Sequence, residues 1–194
     1  MKRALFFVFA AIALLSCNPQ NQKYQKRYFD LDSLISQQLT ALQKAQVTIS
    51  KKASMGASET SGVAKGDSAS LARELDIFRQ MDIINKPLFR DQYSLSSAPD
   101  TKSNLTVQSF EPKIPSPIQY VKLYYLNDLH HLKKIEARFE EENSLYYTRR
   151  DYVLEFNEFN QVPLLARSSV QGIQKMIMND SVAFSVTSFY QPSH

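Results

Sequence analysis

An α+β fold is what this 194-residue chain predicts, on three observations. Its N-terminal part carries apolar residues at helical spacing, the remainder alternates apolar and polar residues with period two, and the two regimes follow one another rather than interleave. Twelve Phe and ten Tyr, with no Trp and only four Gly, suit packing on pleated strands. The expected architecture is two N-terminal helices packed on a curved antiparallel β-meander of about seven or eight strands, an open half-barrel with the helices seated in its concave side.

The first helix is expected over residues 31–44, capped by Asp30 or Asp32, with Leu31, Leu34, Ile35, Leu39 and Leu42 as its apolar stripe and a Gln/Lys-rich opposite face. Val47 to Ser50 is β-type. Residues 54–70 are rich in Ser, Ala, Gly and Lys, and read as a loop or as two thin strands joined near Met55-Gly56. A second helix starts near Asp67 or Ser68, buries Leu71, Leu75, Phe78 and Met81, and ends before Pro87, because the residue preceding a proline is pushed to extended geometry.

Alternation then begins at Phe89, Asp91, Tyr93 and Leu95. It continues through residues 105–110, 120–125 and 135–139, with a turn at residues 140–144. Tyr146 to Phe156 is the longest expected strand. Residues 164–170 lead to Gly172, and residues 173–178 and 182–190 form a last hairpin.

Lys2 and Arg3 precede an apolar run over residues 4–15. Its twelve residues are too few for a bilayer span, which needs about 20, and match the apolar core of a secretory signal. Cys17, the only cysteine, follows at once. Leu14-Leu15-Ser16-Cys17 resembles the lipobox of bacterial lipoproteins. That resemblance implies cleavage before Cys17 and a diacylglycerol on its sulfur. The chain then divides into a signal peptide (1–16), a polar tether (17–27) and a single α+β domain (28–194). Several acyl chains together make an effectively permanent anchor, each buried CH₂ adding about 0.8 kcal/mol. Asn18 after the cysteine, with no acid before Asp30, points to the outer membrane and its periplasmic face. Removing Lys2 and Arg3 also halves the formal charge of +4, which leaves no electrostatic basis for a nucleic-acid partner.

Chemistry is sparse. His130 and His131 are adjacent at a turn and lack the i, i+4 spacing that chelates a metal on a helix. Glu140-Glu141-Glu142 reads as a solvated run rather than a catalytic pair. There is no G-x-S-x-G elbow, phosphate loop or Cys/His metal spacing, so no catalytic residue, metal or cofactor is expected. The crowded tyrosines have two readings. They are strand packing, or Tyr120, Tyr124, Tyr146 and Tyr152 form an aromatic wall for a sugar or lipid. Asp67-Ser68-Ala69 resembles the Asp-Ser/Thr-apolar site of O-glycosylation in the Bacteroidota, which implies Ser68 as the acceptor.

Four short motifs extend the likeness: Phe29-Asp30-Leu31 at the first helix, Asp82 to Pro87 at the end of the second, Asn143-Ser144-Leu145-Tyr146 at a strand start, and Gly172-Ile173-Gln174-Lys175-Met176. Together with the lipobox they are similar to small Bacteroidota cell-envelope lipoproteins of uncharacterised function. The resemblance implies an envelope lipoprotein and supplies no activity. Two functions fit: a module binding a lipid or other apolar ligand, on the plan of envelope lipid carriers of the LolA/LolB type, or a structural or interaction subunit of an envelope assembly. An enzyme is not expected.

Overall fold

The computed structural model describes residues 25–192. The signal segment, Cys17 and His194 lie outside the described residues.

Helix α1 is Leu31–Lys44. The Asp30 side chain accepts from the Ser33 N–H at 2.8 Å and closes its first turn. Its buried residues are Leu31, Ile35, Gln38 and Leu42, spaced at three to four. Leu34 and Leu39 flank that stripe and are only partly covered. Gln46, at φ 47, turns the chain out of the helix. Strands β1 (Thr48–Met55) and β2 (Ser58–Lys65) then form a regular hairpin. Its two-residue loop carries Gly56 at φ +57, the left-handed conformation that a hairpin loop of this length demands.

Helix α2 (Ser68–Leu75) is capped by Asp67, whose carboxylate accepts from the Ser70 N–H at 2.7 Å. It tightens into a 3₁₀ segment, Asp76–Asn85, that carries Phe78, Met81 and Ile84 into the core. Lys86 is extended (ψ 148), as its proline neighbour requires. The chain makes one more 3₁₀ turn over Pro87–Phe89 before entering the sheet, so the alternation read at Phe89 begins only at Tyr93.

Seven strands follow in order: β3 (Tyr93–Pro99), β4 (Thr106–Pro112), β5 (Ile118–Tyr125), β6 (Leu132–Glu142), β7 (Tyr146–Phe159), β8 (Val162–Met176) and β9 (Val182–Gln191). Each pairs antiparallel with the next. The β1–β2 hairpin adds to the far side of β9, giving the order β2-β1-β9-β8-β7-β6-β5-β4-β3. The fold is therefore α+β with nine antiparallel strands rather than seven or eight, and the sheet is not closed. The additional strands come from the Ser/Ala/Gly/Lys-rich segment. An isolated hairpin of that composition is marginal in water. Here β9 templates it, with Thr48 opposite Gln191 and Met55 opposite Phe184. Glu140 lies within β6 rather than in a turn, and Gly172 lies within one unbroken β8.

One sheet face is covered. Ile49, Leu123, Ile135, Tyr152, Leu154 and Val170 point into a single core with the apolar stripes of both helices. Two side-chain amides fasten the layers. Asn85, 3 % exposed, accepts from the Tyr28 N–H at 2.9 Å and donates to the Phe29 carbonyl at 3.0 Å. Gln38 joins α1 to β8, donating from Nε2 to the Pro163 carbonyl at 2.9 Å and accepting the Leu165 N–H at 2.8 Å. Lys26 and Arg27, which end the expected tether, already hold Asp82 at 2.6 Å and Asp91 at 2.9 Å.

Candidate functional site

A wide concavity lies where α1 passes the β7–β8 turn. It measures about 1000 Å³. Phe29, Leu34 and Ala41 form one wall, and Leu132, Val162 and Pro163 the other. Gln37, His130, His131 and Glu158 border it with polar groups. Local structure explains each part. Asn160 and Gln161, at φ 49 and 64, make the tight turn that projects Val162 and Pro163. The 3₁₀ turn Leu129–His131 is capped by Asp128, which accepts from the His130 N–H at 2.8 Å and meets His131 Nδ1 at 3.1 Å. Gln38 pins the helix to the β8 backbone at the cleft's edge.

A second concavity of about 520 Å³ adjoins the first and shares Phe29 and Leu129 with it. Tyr28 and Tyr93 stand in its wall, their rings edge to face at 5.7 Å. Tyr28 Oη donates to the Tyr93 carbonyl at 3.1 Å and accepts the Tyr93 N–H at 2.9 Å. Burial pushes the Tyr93 phenol up to about 12, so it stays protonated and donates to the Ile118 carbonyl at 2.9 Å. Burial works to raise the Asp30 carboxyl at the cleft's rim, but hydrogen bonds from Lys26 and Ser33 outweigh it and hold the group below the ordinary carboxylate range.

The four tyrosines read as a wall do not stand together. In β6–β7 pairing Ala137 lies opposite Tyr152, and both face the core. Tyr152 is 1 % exposed, packs edge to face on Phe78 at 5.8 Å and donates to Gln80 Oε1 at 2.8 Å. Tyr146, six residues earlier, shares its side of the strand beyond the helices. Tyr120 and Tyr124 are on the opposite, uncovered face. There they are clothed by cations: Lys134 Nζ sits 4.0 Å from the Tyr124 ring centre, and Lys122 and Arg138 lie 5.2 and 5.6 Å from that of Tyr120. Arg138 meets Asp151 at 2.6 Å, and Arg167 meets Glu155 at 2.7 Å. Ser68, the glycosylation candidate, is exposed in the first turn of α2.

Glu136 joins this outer network, taking hydrogen bonds from Tyr124 Oη at 2.8 Å and Lys134 Nζ at 2.8 Å. Burial raises its carboxyl, but the Lys134 and Tyr124 bonds prevail and lower it. A carboxyl lowered by folding stabilises the protein above its unfolded value, and that contribution is lost as pH falls through the folded value. Glu136→Gln is therefore expected to flatten the acid limb of stability against pH, below the ordinary carboxylate value of about 4, by no more than about 1 kcal/mol for a half-exposed pair. Urea titrations at a series of pH values measure it; an unchanged acid limb would refute the assignment.

Leu34, Gln38 and the two histidines enter the cleft without having been singled out for it. The adjacent histidines were a visible signal, but only the fold brings them opposite α1. Among the described residues, no group of three or more His, Cys, Asp or Glu is placed to hold a metal ion. No helix among them is long and apolar enough to cross a membrane. The arrangement offers an apolar trough with polar groups at its rim, which is the usual construction of a small-molecule binding site. The chain matches no family model, no curated protein and no solved structure.

Proposed function

We propose that the protein is a lipid-anchored binding module of the bacterial cell envelope, acylated on Cys17 and held at the periplasmic face of the outer membrane. It binds rather than catalyses. Its ligand has an apolar body, such as an acyl chain, and a polar end. The observation that carries this reading is the cleft of about 1000 Å³ between α1 and the β7–β8 turn. In a half-barrel carrier the ligand would lie under the helices. Here Leu31, Ile35, Leu71, Leu75 and Met81 are 0 % exposed and fill that space, so the ligand enters at the rim.

Mass spectrometry of the full-length product purified from its own host's membranes tests both halves. The expected species begins at an acylated Cys17 and carries a small apolar molecule. Ala41→Trp, which fills the trough from a half-buried position on the cleft-facing side of α1, is expected to cut ligand occupancy at least about tenfold. A product beginning elsewhere overturns the anchor. A folded Ala41→Trp variant with undiminished ligand, or wild-type protein without ligand, overturns the binding site.

One observation favours the alternative, an interaction subunit. Leu145, Met176, Ile177 and Met178 are 63, 52, 57 and 98 % exposed at adjoining strand ends, with the Ile177 N–H bonded to the Leu145 carbonyl at 2.8 Å. A contiguous apolar tip of this kind is a docking surface. Recovery of no stable partner from native membranes would count against that role.

A further inference from the structure

Strand β2 is an edge with no partner on its outer side among the described residues. All eight of its residues are exposed, and it pairs on one side only. Native proteins usually blunt such an edge with proline, a bulge or charges along it. The sequence SETSGVAK has no proline, its register with β1 runs unbroken from Met55↔Ser58 to Thr48↔Lys65, and its two charges, Glu59 and Lys65, are of opposite sign. The opposite edge strand, β3, by contrast ends in Pro99.

Hairpin geometry says which backbone groups are free. In a two-residue hairpin the residues flanking the loop exchange both hydrogen bonds, and bonded and non-bonded pairs then alternate. Ser58, Thr60, Gly62 and Ala64 thus point their backbone groups at β1. Glu59, Ser61, Val63 and Lys65 point theirs at the open edge. A second antiparallel strand must meet those four positions.

A second β2 does so with complementary charges. With a two-fold axis at Gly62, Ser61 of each copy faces Val63 of the other, and Glu59 faces Lys65. The outward-bonding residues then face only one another, alternating with the non-bonded pairs Thr60 with Ala64 and Gly62 with Gly62, and the charges match at both ends. The Lys65 carbonyl already accepts the Asp67 N–H at 2.9 Å, so the central Ser61 and Val63 bonds anchor the pairing. Among the described residues, neither Glu59 nor Lys65 has an ion-pair partner of its own.

Gly62 is an independent sign. Glycine weakens a strand interior and commonly marks close approach of another backbone. Nothing among the described residues demands it, since an added Cβ would meet no atom within 4 Å. On the two-fold axis Gly62 becomes the close, non-hydrogen-bonded pair with its own copy.

We infer that β2 is a self-complementary edge through which two copies of this chain join their sheets into one. The contact is isologous and closes on itself, so it makes a dimer and not a fibre. It does not involve the α1 cleft and stands whatever ligand the cleft takes.

The test uses the full-length chain in detergent solution, read by sedimentation. Wild type is expected to dimerise reversibly. Glu59→Lys and Lys65→Glu, each of which sets like charges opposite one another twice, are expected to weaken the dimer at least about tenfold. The double exchange Glu59→Lys/Lys65→Glu is expected to restore it to within about threefold of wild type. Under mild oxidation Gly62→Cys is expected to give a reducible covalent dimer, and Glu59→Cys, whose neighbour would be Lys65, is not. Unchanged thermal unfolding verifies that the exposed substitutions leave the fold intact. A chain that stays monomeric at every concentration overturns the proposal. So do a double exchange no better than the single ones, and an edge that captures only a different protein.

Discussion

Replacing Gly172 with alanine is expected to destabilise the domain by about 3 kcal/mol, at the upper end of what overpacking costs. Gly172 lies in the middle of β8, opposite Arg150 of β7 and Phe184 of β9. A Cβ there would stand 1.9 Å from the Arg149 carbonyl oxygen and 3.0 Å from its carbonyl carbon, with the Phe184 ring at 3.1 Å. A flexible side chain could swing aside, but the obstacle is backbone held in two ladders. Relief requires moving β7 against β6 or β8, the two longest pairings of the sheet. Valine at the same position is expected to prevent folding. Equilibrium urea unfolding gives the number, and a loss below about 1 kcal/mol for Gly172→Ala would show that the strands yield freely.

Gln38→Leu is expected to cost about 2–4 kcal/mol although it places a better apolar residue in a buried site. β9 pairs with β8 only from Arg167 onward. The Pro163 carbonyl and the Leu165 N–H, just before that point, have β7 on one side but no strand on the side where β9 would lie. The β7–β8 ladder is also irregular here, its register shifting between Glu155 and Phe156. The Gln38 amide supplies one donor and one acceptor and stands in for the missing strand. Leucine leaves both backbone groups unpaired, the Leu165 N–H in a buried site and the Pro163 carbonyl in a partly buried one, at about 1–3 kcal/mol each. Two readouts distinguish this from a general packing defect: a lower urea midpoint, and faster hydrogen exchange at the Leu165 amide. Unaltered exchange at Leu165 would rule out the bridging role.

These two residues mark the limit of what could be read in advance. Helix α1 is legible in its bounds, and its cap to within the pair Asp30 and Asp32, because its stripe, the capping acid and the following β-type run act within a few residues. Gln38 was assigned to the polar face by its chemistry, yet it is 5 % exposed. Its partners lie more than a hundred positions away, at Pro163 and Leu165, and no local pattern reports them. Gly172 read as a break between strands for the same reason, since the close approach that requires glycine comes from Arg149 on another strand. The tyrosines show a third form of this limit. Alternation within β5 correctly separates Tyr120 and Tyr124 from Val121 and Leu123. Only the β5–β6 and β6–β7 registers tell that Tyr152 stands on the other side of the sheet from them.

The sequence by itself determined the α+β class, an antiparallel meander following two helices in chain order, and the capped helices that cover one face, but not the strand count. Short-range forces control these features: side-chain periodicity, capping hydrogen bonds, and proline's constraint on Lys86. The tertiary structure alone decided that β1 joins β9, that a polar hairpin becomes an edge of the sheet, and that α1 and the β7–β8 turn enclose a cleft. Each of these depends on register between segments far apart in the chain. The free energy of pairing then comes from the strand that templates it, and the segment's own composition carries little of that information.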